Sequence, residues 1–319
     1  MLITSNSIAD RLIRHYLFRM TVLDQWMRMY SRPQLTLVRS AVVGRWGFRL
    51  DPGATVAFHL VKRGSGWLRR PGVPAIRLAE GDLVVIANGE AHDVTDTKDG
   101  LAEPVAEFAQ RSFEFRGREP DAVIFCGTLR ADTARRQTGV FAIPPFIHLT
   151  GAEIADDPGI AGLVSLLGAE LECTFEGNET LIESLTSGLM IYVLRRAAEQ
   201  SGHSPGWLVA MNDPQLARVF QAIHSTPAEP WTVEQMADSA GLSRATFSRR
   251  FAERVGEPPL SYLTAWRMTL AGRRLLQGKQ PLSRIAAEVG YSSEAAFSRA
   301  FKRHHGVAPA AYRNVGVAG

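Results

Sequence analysis

Arginine and serine residues recur at matching positions in two segments of the C-terminal third of the chain. Ser248 and Arg249 lie between two phenylalanines, and Ser298 and Arg299 lie between two others, 50 positions later. Phenylalanines four residues apart predict one buried helix face, with serine and arginine on the other side. Arginine can bond two acceptors of one guanine or clamp phosphate, and serine adapts to either partner. The pattern therefore predicts two helices that contact DNA.

The outward positions of these two helices supply the candidate DNA contacts. They are Arg244, Ala245, Ser248, Arg249 and Arg250 on the first helix, and Ser293, Glu294, Ala295, Ser298, Arg299 and Lys302 on the second. A lone arginine on a helix is usually only solvated, but Arg249 and Arg299 share one register, which favours a common role. Glu294 leaves two interpretations open. Its carboxylate could accept a hydrogen bond from cytosine, or its negative charge could simply interact favourably with the positive N-terminal end of its helix.

The two helices belong to an internal repeat, which marks a duplicated structural unit. Five residues recur 50 positions later: Phe247, Phe251, Gly256, Pro259 and Tyr262 correspond to Phe297, Phe301, Gly306, Pro309 and Tyr312. Upstream, Gly241 recurs as Gly290, an offset of 49. Each copy is predicted as a helix, a tight turn closed by that glycine at positive φ, and a second helix. This is the helix-turn-helix layout, whose second helix enters the major groove.

Helix caps and a connecting helix complete the predicted units. Thr232 and Ser243 are expected to cap the helices of the first copy, and Ser283 and then Ser292 or Ser293 those of the second. Residues Ser261–Gln277 predict one long helix between the copies. Such a rigid connector would hold the two recognition helices at a spacing that suits successive major-groove turns, about 34 Å apart.

The net charge of +4 is divided unevenly along the chain. From Asp213 to the end there are 14 Lys and Arg residues and 8 Asp and Glu residues, so this third of the chain has a net charge of +6 and the rest has −2. No apolar run approaches the roughly 18 residues needed to span a bilayer, so no membrane partner is expected. Two cysteines without a secretory signal predict a reducing cytoplasm.

The first half of the chain has the pattern of a β-sheet domain. Short apolar runs between Leu35 and Ile147 are separated by Gly, Pro and Asp, which predicts a β-sandwich or barrel. From Gly159 the apolar period becomes helical, and two antiparallel helices are expected. These helices either cap the β-sheet domain or form a dimer interface, and the sequence does not distinguish the two uses.

From Asp213 to Arg313 the sequence resembles the AraC/XylS family of bacterial transcription regulators. The resemblance is carried by Trp231-Thr232-Val233-Glu234, Ala237-Asp238-Ser239-Ala240-Gly241-Leu242-Ser243, Phe247-Ser248-Arg249-Arg250-Phe251, Trp266-Arg267-Met268, Val289-Gly290-Tyr291 and Phe297-Ser298-Arg299-Ala300-Phe301-Lys302. It implies a sequence-specific transcription regulator that binds double-stranded DNA, with RNA polymerase and a second copy of the chain as further partners. It also implies base contacts from the outward positions of both recognition helices.

The N-terminal half is similar to the cupin-type sensor domain of a subgroup of that family. The similar segments are Trp46-Gly47-Phe48, Phe58-His59-Leu60-Val61, Gly66-Trp67-Leu68, Gly81-Asp82-Leu83-Val84, Ala91-His92 and Phe125-Cys126-Gly127. The implied fold is α+β with two domains: a double-sheet cupin-like β-barrel with a helical annex, then an all-α domain with two helix-turn-helix units. The expected boundaries are an extension over 1–22 (or a later start at Met20 or Met27), the barrel over 23–150, the annex over 151–200, a linker over 201–212 and the DNA-binding domain over 213–315.

Cupin barrels commonly hold a metal or a small ligand, and His59, His92 and Cys126 are the candidates for such a site here. Two histidines and a cysteine would suit Zn²⁺ or another divalent metal of similar softness. The full cupin metal motif, with paired histidines and a glutamate, is absent. Three interpretations stay open: a structural role, a metal or small-molecule effector site, and redox sensing through Cys126. The resemblance implies a regulator and not an enzyme; the alternative function is a cupin-type metalloenzyme fused to a DNA-binding tail.

Overall fold

The computed structural model describes residues 35–53, 55–111, 113, 115, 117–130, 143–172, 176–200, 206–278 and 280–315. The expected extension over 1–22, both alternative start residues and Cys173 lie outside the described residues. The chain divides into two compact parts: a sheet domain with the described residues up to 197, and a helical domain with those from 198 onward. The predicted fold class is confirmed, since the first contains the β-sheets and the second consists of helices. None of the helices described combines the length and apolar character needed to cross a bilayer.

Ten strands in the described part of the chain form two five-stranded sheets. The strands are Leu35–Val42 (β1), Gly47–Leu50 (β2), Thr55–Arg63 (β3), Gly66–Arg69 (β4), Ile76–Leu78 (β5), Leu83–Ile86 (β6), His92–Thr95 (β7), Glu103–Pro104 (β8), Ala122–Arg130 (β9) and Phe146–Leu149 (β10). The strand orders are β1-β9-β3-β6-β10 and β5-β4-β7-β2-β8. All neighbours pair antiparallel except β2 and β8.

The apolar core of the sheet domain lies between the two sheets. Alternate residues of β9, such as Ala122 and Ile124, pack there against Phe48 and Val94 of the second sheet. Successive side chains of a strand point to opposite faces, so Phe125 lies on the outer face of the first sheet. Phe125 is nevertheless fully buried, because Gly168 of the helical annex lies against it. Burial on both faces explains why buried apolar side chains occur on both sides of β3 and β9.

The helices of the sheet domain are short except in the annex. They are Val105–Phe108 (α1), Gly151–Asp156 (α2), Pro158–Glu172 (α3) and Asn178–Gln200 (α4), the last of which ends at the boundary of the two domains. Gly159 lies against Tyr192, and Gly188 lies against Leu163. Early residues of α3 therefore meet late residues of α4, so the two helices run antiparallel, as predicted.

The helical domain contains eight helices among its described residues. They are Trp207–Ala210 (α5), Pro214–Ser225 (α6), Val233–Ala240 (α7), Arg244–Val255 (α8), Pro259–Gln277 (α9), Leu282–Glu288 (α10), Glu294–His305 (α11) and Pro309–Val315 (α12). Helices α6–α8 form the first helix-turn-helix unit of the repeat, α10–α12 form the second, and α9 connects them.

The expected linker over 201–212 differs from the structure at its C-terminal end. Trp207 and Leu208 are buried in α5, and the backbone N–H of Gly206 donates to the carbonyl of Arg254 at 2.8 Å. The Gly and Pro residues of this stretch suggested a linker, but the apolar side chains that come after them pack against α8. The C-terminal part of this stretch, residues 206–212, therefore packs with the helical domain.

Candidate functional site

The first recognition helix, α8, is fixed at its start and along one face. Ser243 caps it as predicted, accepting from the backbone N–H of Thr246 at 3.3 Å. Phe247 and Phe251 are fully buried under it. The opposite face consists of the exposed residues Arg244, Ala245 and Arg249, with Ser248 partly exposed beside them. This is the face that the sequence predicted.

The second recognition helix, α11, repeats this arrangement. Ser293 caps it, accepting from the backbone N–H of Ala296 at 3.2 Å. Phe297 and Phe301 are buried. The other face presents Glu294, Ala295, Arg299 and Lys302, all exposed, with Ser298 partly exposed. Glu294 lies in the first turn, where its negative charge also interacts favourably with the positive end of the helix dipole.

The other predicted caps and turn glycines of the repeat are confirmed except for Ser283. Thr232 caps α7 in a capping box with Gln235, and Gly241 and Gly290 have the expected positive φ of 68° and 79°. The prediction for Ser283 was wrong, because α10 begins at Leu282 after Pro281 and has no side-chain cap. Ser283 therefore lies inside the first turn of α10, whereas a capping side chain belongs to the residue just before the helix.

The aromatic core beneath each recognition helix is also duplicated. Tyr262 packs edge-on against Phe251 with ring centroids 5.7 Å apart, and Tyr312 packs edge-on against Phe301 at 5.2 Å. In the first helix-turn-helix unit, His224 lies in the same core and its Nε2 is 2.9 Å from the hydroxyl of Tyr262. Burial lowers the pKa of His224 to about 3, so the ring is neutral there. Sequence reasoning missed His224, which sits on the apolar stripe of α6.

The arginines of α8 have different surroundings. The guanidinium of Arg250 pairs with Asp213 at 2.6 Å and donates to the side chain of Gln215 at 2.6 Å. Asp213 is almost buried, with a side-chain exposure of 8%, and it also caps α6. Arg250 was placed among the DNA contacts by its position in the sequence, and in this structure its donors bond α6. It therefore fixes α8 to α6.

The remaining cations of the two recognition faces are more accessible. Arg244 pairs with Glu234 at 2.9 Å and Arg249 with Glu253 at 3.3 Å, and all four side chains are more than half exposed. Exposed pairs of this kind contribute little free energy and can exchange a carboxylate for a phosphate or a base. Arg299 has no ion-pair partner among the described residues. Both helices thus offer at least one arginine to a ligand.

The barrel interior holds two of the three residues predicted for a ligand or metal site in direct contact. His59 lies on β3 and His92 begins β7 of the opposite sheet, and their Nε2 atoms are 2.9 Å apart. Both side chains are almost completely buried. Cys126 is the directly paired neighbour of His59 on β9, so its side chain lies on the same inner face.

Hydrogen bonds determine how the two histidines share protons. His92 Nδ1 is 2.8 Å from the carbonyl oxygen of Glu90, so its N–H donates there and leaves Nε2 as an acceptor. His59 then donates from Nε2 to His92, which leaves His59 Nδ1 buried without a hydrogen-bond partner. Burial, and then the neighbouring His92, lower the pKa of His59 well below its usual value. Burial also lowers the pKa of His92, so both rings are neutral.

The third candidate, Cys126, is a half-buried free thiol. Burial raises its pKa, which favours the thiol over the thiolate. Within the described ranges, no group of three or more His, Cys, Asp or Glu side chains is arranged to hold a metal ion. The structure therefore brings His59 and His92 into contact and places Cys126 beside His59.

Two helix-turn-helix units in one helical domain, with arginines on matched exposed faces, define a helix-turn-helix DNA-binding protein. Comparison with known proteins gives the family. A cupin family profile matches residues 22–199, and a helix-turn-helix domain profile matches residues 236–314.

Named relatives align along most of the chain. A putative AraC-like transcription regulator of Streptomyces lividans is 33% identical over 85% of this chain and 90% of its own length. An HTH-type transcriptional regulator of Haemophilus influenzae is 32% identical over 86% of this chain and 92% of its own. The transcriptional regulator AlkR of Acinetobacter baylyi is 31% identical over 85% and 91%. The chain belongs to the AraC-type transcription regulators with an N-terminal cupin domain, and it is a DNA-binding transcription regulator.

Proposed function

We propose that this protein is a one-component regulator: the barrel binds a chemical signal, and the two recognition helices bind adjacent major-groove segments of a promoter. The observation that carries the DNA-binding part is the duplicated recognition face. Ser248 and Arg249 on α8 match Ser298 and Arg299 on α11, over buried phenylalanines in the same register. Promoter DNA lies in the cytoplasm of a bacterium, so we assign the protein to that compartment.

We assign base reading to Arg249 and Arg299 and a supporting role to the other cations. Arg249→Ala or Arg299→Ala should each weaken binding to the preferred duplex by about 1–3 kcal/mol and relax specificity at the contacted base pair. Fluorescence anisotropy on matched and mismatched duplexes measures both effects. Glu253→Gln serves as a control, because it removes the partner of Arg249 and should leave affinity equal or slightly tighter. Equal weakening on every sequence, with a smaller salt dependence, would indicate phosphate contacts and contradict this assignment.

We propose that the His59–His92 pair is the signal-binding site of the barrel. Its support is the pairing of two neutral imidazoles in an apolar core, with His59 Nδ1 left unpartnered. A buried acceptor without a partner costs free energy, which a bound ligand or ion would recover through rearrangement of the pair. Arg70 lies close enough to lower the pKa of His92, though less than burial does, and it packs over the ring of Phe146 at 3.9 Å.

Zn²⁺ or another divalent metal is one occupant that the donor set fits. The Nε2 atoms of His59 and His92 lie 2.9 Å apart, so two imidazole donors already converge at one point inside the barrel. His59 and His92 would hold such an ion, with Cys126 available as a third ligand after losing its proton. The ion would supply positive charge to a lumen that has two neutral rings. A small polar molecule bonded to His59 is the other occupant.

Metal analysis of the purified full chain distinguishes these occupants. We expect about one equivalent of metal after incubation with Zn²⁺, and loss of that metal in the His59→Ala, His92→Ala double variant. Sub-stoichiometric metal in both proteins would exclude a metal as the occupant and favour the small-molecule effector. Substrate turnover by the metal-loaded barrel that disappears with His59→Ala would instead support the alternative, a metalloenzyme, although the named relatives are transcription regulators.

We propose that the protein acts as a homodimer through the annex. The support is that α3 and α4 expose large apolar side chains, Leu166 at 56% and Leu181 at 44%. The signal would then favour the arrangement of the dimer that spans two half-sites or contacts RNA polymerase. Leu166→Glu should shift sedimentation towards monomer, whereas Leu101→Glu, at a residue 91% exposed outside the annex, should not. Identical sedimentation of the two variants would contradict a dimer through α3.

A further inference from the structure

Arg267, on the connecting helix α9, joins the two helix-turn-helix units. Its Nε donates to the carbonyl oxygen of Pro227 at 2.7 Å, and its terminal nitrogen donates to the carbonyl oxygen of Glu229 at 2.6 Å. Both carbonyls belong to the loop 226–232 between α6 and α7 of the first helix-turn-helix unit. A guanidinium can hold two acceptors at once in a fixed geometry.

The same guanidinium borders the turn of the second helix-turn-helix unit. A Cβ built on Gly290 would lie 2.9 Å from the terminal nitrogen of Arg267 and 2.6 Å from the carbonyl oxygen of Ala228. Burial raises the pKa of Tyr291, and the nearby positive charge of Arg267 partly offsets that rise. The turn between α10 and α11 therefore packs directly on the loop of the first unit, with Arg267 between them.

The loop that receives Arg267 is itself braced by hydrogen bonds. The indole N–H of Trp231 donates to the carbonyl oxygen of Thr226 at 3.0 Å. The backbone N–H of Trp231 donates to the carbonyl oxygen of Glu229 at 2.8 Å. Proline occupies positions 227 and 230. These features restrict the backbone of the loop, so a side chain bonded to it is held by a stiff partner.

The repeat supplies a natural comparison, because Arg218 on α6 precedes Gly241 by the same number of residues by which Arg267 precedes Gly290. Arg218 donates to the carbonyl oxygen of Ala240 at 3.1 Å, which lies within its own unit. Around Gly241 an added Cβ would meet only the end of Arg218, at 3.8 Å. The equivalent positions thus share chemistry and backbone conformation, but only the second set bridges the two units.

We propose that Arg267 and the Gly290 turn form an inter-unit clamp that sets the spacing between the two recognition helices, and so restricts the protein to operators with one separation of half-sites. The clamp makes no contact with DNA; it positions α8 and α11 relative to each other. One inserted base pair moves a half-site by about 3.4 Å along the duplex and rotates it by about 34°. A rigidly clamped domain cannot adapt to that change without distorting the DNA, which costs free energy.

The test uses the full chain and the duplex that the wild-type protein selects from a randomised DNA library. Affinity is measured by anisotropy on this duplex and on versions with one base pair inserted or deleted between the half-sites. We expect the wild type to lose at least about tenfold on the altered duplexes, and Arg267→Ala to lose less than about threefold. We call this loss of affinity on the altered duplexes the spacing penalty. Arg218→Ala should show the same spacing penalty as the wild type, even if it lowers the stability of the protein.

A second pair of variants keeps the test valid if Arg267→Ala unfolds. Gly290→Ala and Gly241→Ala introduce the same kind of backbone strain, because both glycines have positive φ. Only Gly290→Ala also drives the turn against Ala228, so only this variant should lose the spacing penalty. Circular dichroism at the assay temperature checks that each variant is folded.

The proposal rests on DNA binding by both recognition helices, and the results separate the two claims. A wild-type chain that selects no duplex would overturn both. A wild-type chain that selects a two-part duplex, with spacing penalties equal in the wild type, Arg267→Ala and Gly290→Ala, would overturn the clamp alone.

Discussion

Replacement of Arg250 by alanine separates a residue that supports the recognition helix from one that contacts DNA. Its neighbour Arg249 is the matched control, since both are arginines on α8 with a carboxylate partner. The partners differ in burial: Asp213 is 8% exposed and Glu253 is 58% exposed. This difference in burial predicts opposite phenotypes for the two variants.

The expected cost of Arg250→Ala comes from the carboxylate left behind. Removing one partner of a fully buried pair costs about 3–5 kcal/mol. Arg250 itself is 36% exposed, so water reaches the site and the cost is reduced. The unpaired carboxylate of Asp213 and the lost hydrogen bond to Gln215 together should lower the free energy of unfolding by about 2 kcal/mol. Arg249→Ala removes only an exposed helix pair, worth at most about 0.5 kcal/mol.

Scanning calorimetry of the full chain measures these costs. A loss of about 2 kcal/mol lowers the melting temperature of a domain of this size by about 8–16 °C, and Arg249→Ala should shift it by only a few degrees. Operator affinity, measured below both transitions, should fall for Arg249→Ala and stay close to wild type for Arg250→Ala. A stable Arg250→Ala protein with the affinity loss of Arg249→Ala would refute the assignment and make Arg250 a DNA contact.

The core and caps of the helical domain give three further expected outcomes. His224 has a pKa of about 3 in the folded state against an ordinary value of 6.5, so the unfolded chain takes up the proton first as the pH falls, and stability is lost from pH 6.5 downward. Between pH 6.5 and 5 this costs about 2 kcal/mol, and His224→Gln should show a correspondingly weaker pH dependence of unfolding; equal pH dependence would count against neutral burial. Phe301→Ala should destabilise the second helix-turn-helix unit by about 3–5 kcal/mol and abolish operator binding, whereas unchanged calorimetry would contradict its place in the core. Thr232→Ala removes the cap of α7 and should cost about 0.5–2 kcal/mol in urea unfolding, with no loss for Thr232→Ser.

The repeat made the helical domain predictable from sequence. Phe247, Phe251 and Gly241 matched Phe297, Phe301 and Gly290 position by position, and helical periodicity then gave the helices, turns and outward faces. The partners of individual side chains could not be obtained in this way. Arg249 and Arg250 are adjacent and identical in type, and only the fold shows that one reaches Asp213 across 37 positions of sequence.

Contacts between distant segments account for the other gaps. Arg267 was recognised only as part of a family motif, because its acceptors are backbone carbonyls, which every residue has. In the barrel, residue type and strand pattern identified His59 and His92 as candidates. Their contact depends on how two sheets face each other, and the orphaned Nδ1 of His59 depends on the hydrogen bond that the Nδ1–H of His92 donates to the carbonyl oxygen of Glu90. Local sequence patterns contain neither kind of information.

Selection of DNA from a randomised library by the full-length protein tests the central claim most directly, that two recognition helices at a fixed separation read one operator. We expect two conserved blocks of base pairs, centred about one helical turn, or 10 base pairs, apart on the same face of the duplex. Arg249→Ala should lose the preference within one block and Arg299→Ala within the other. A single conserved block, or binding without sequence preference, would contradict the account.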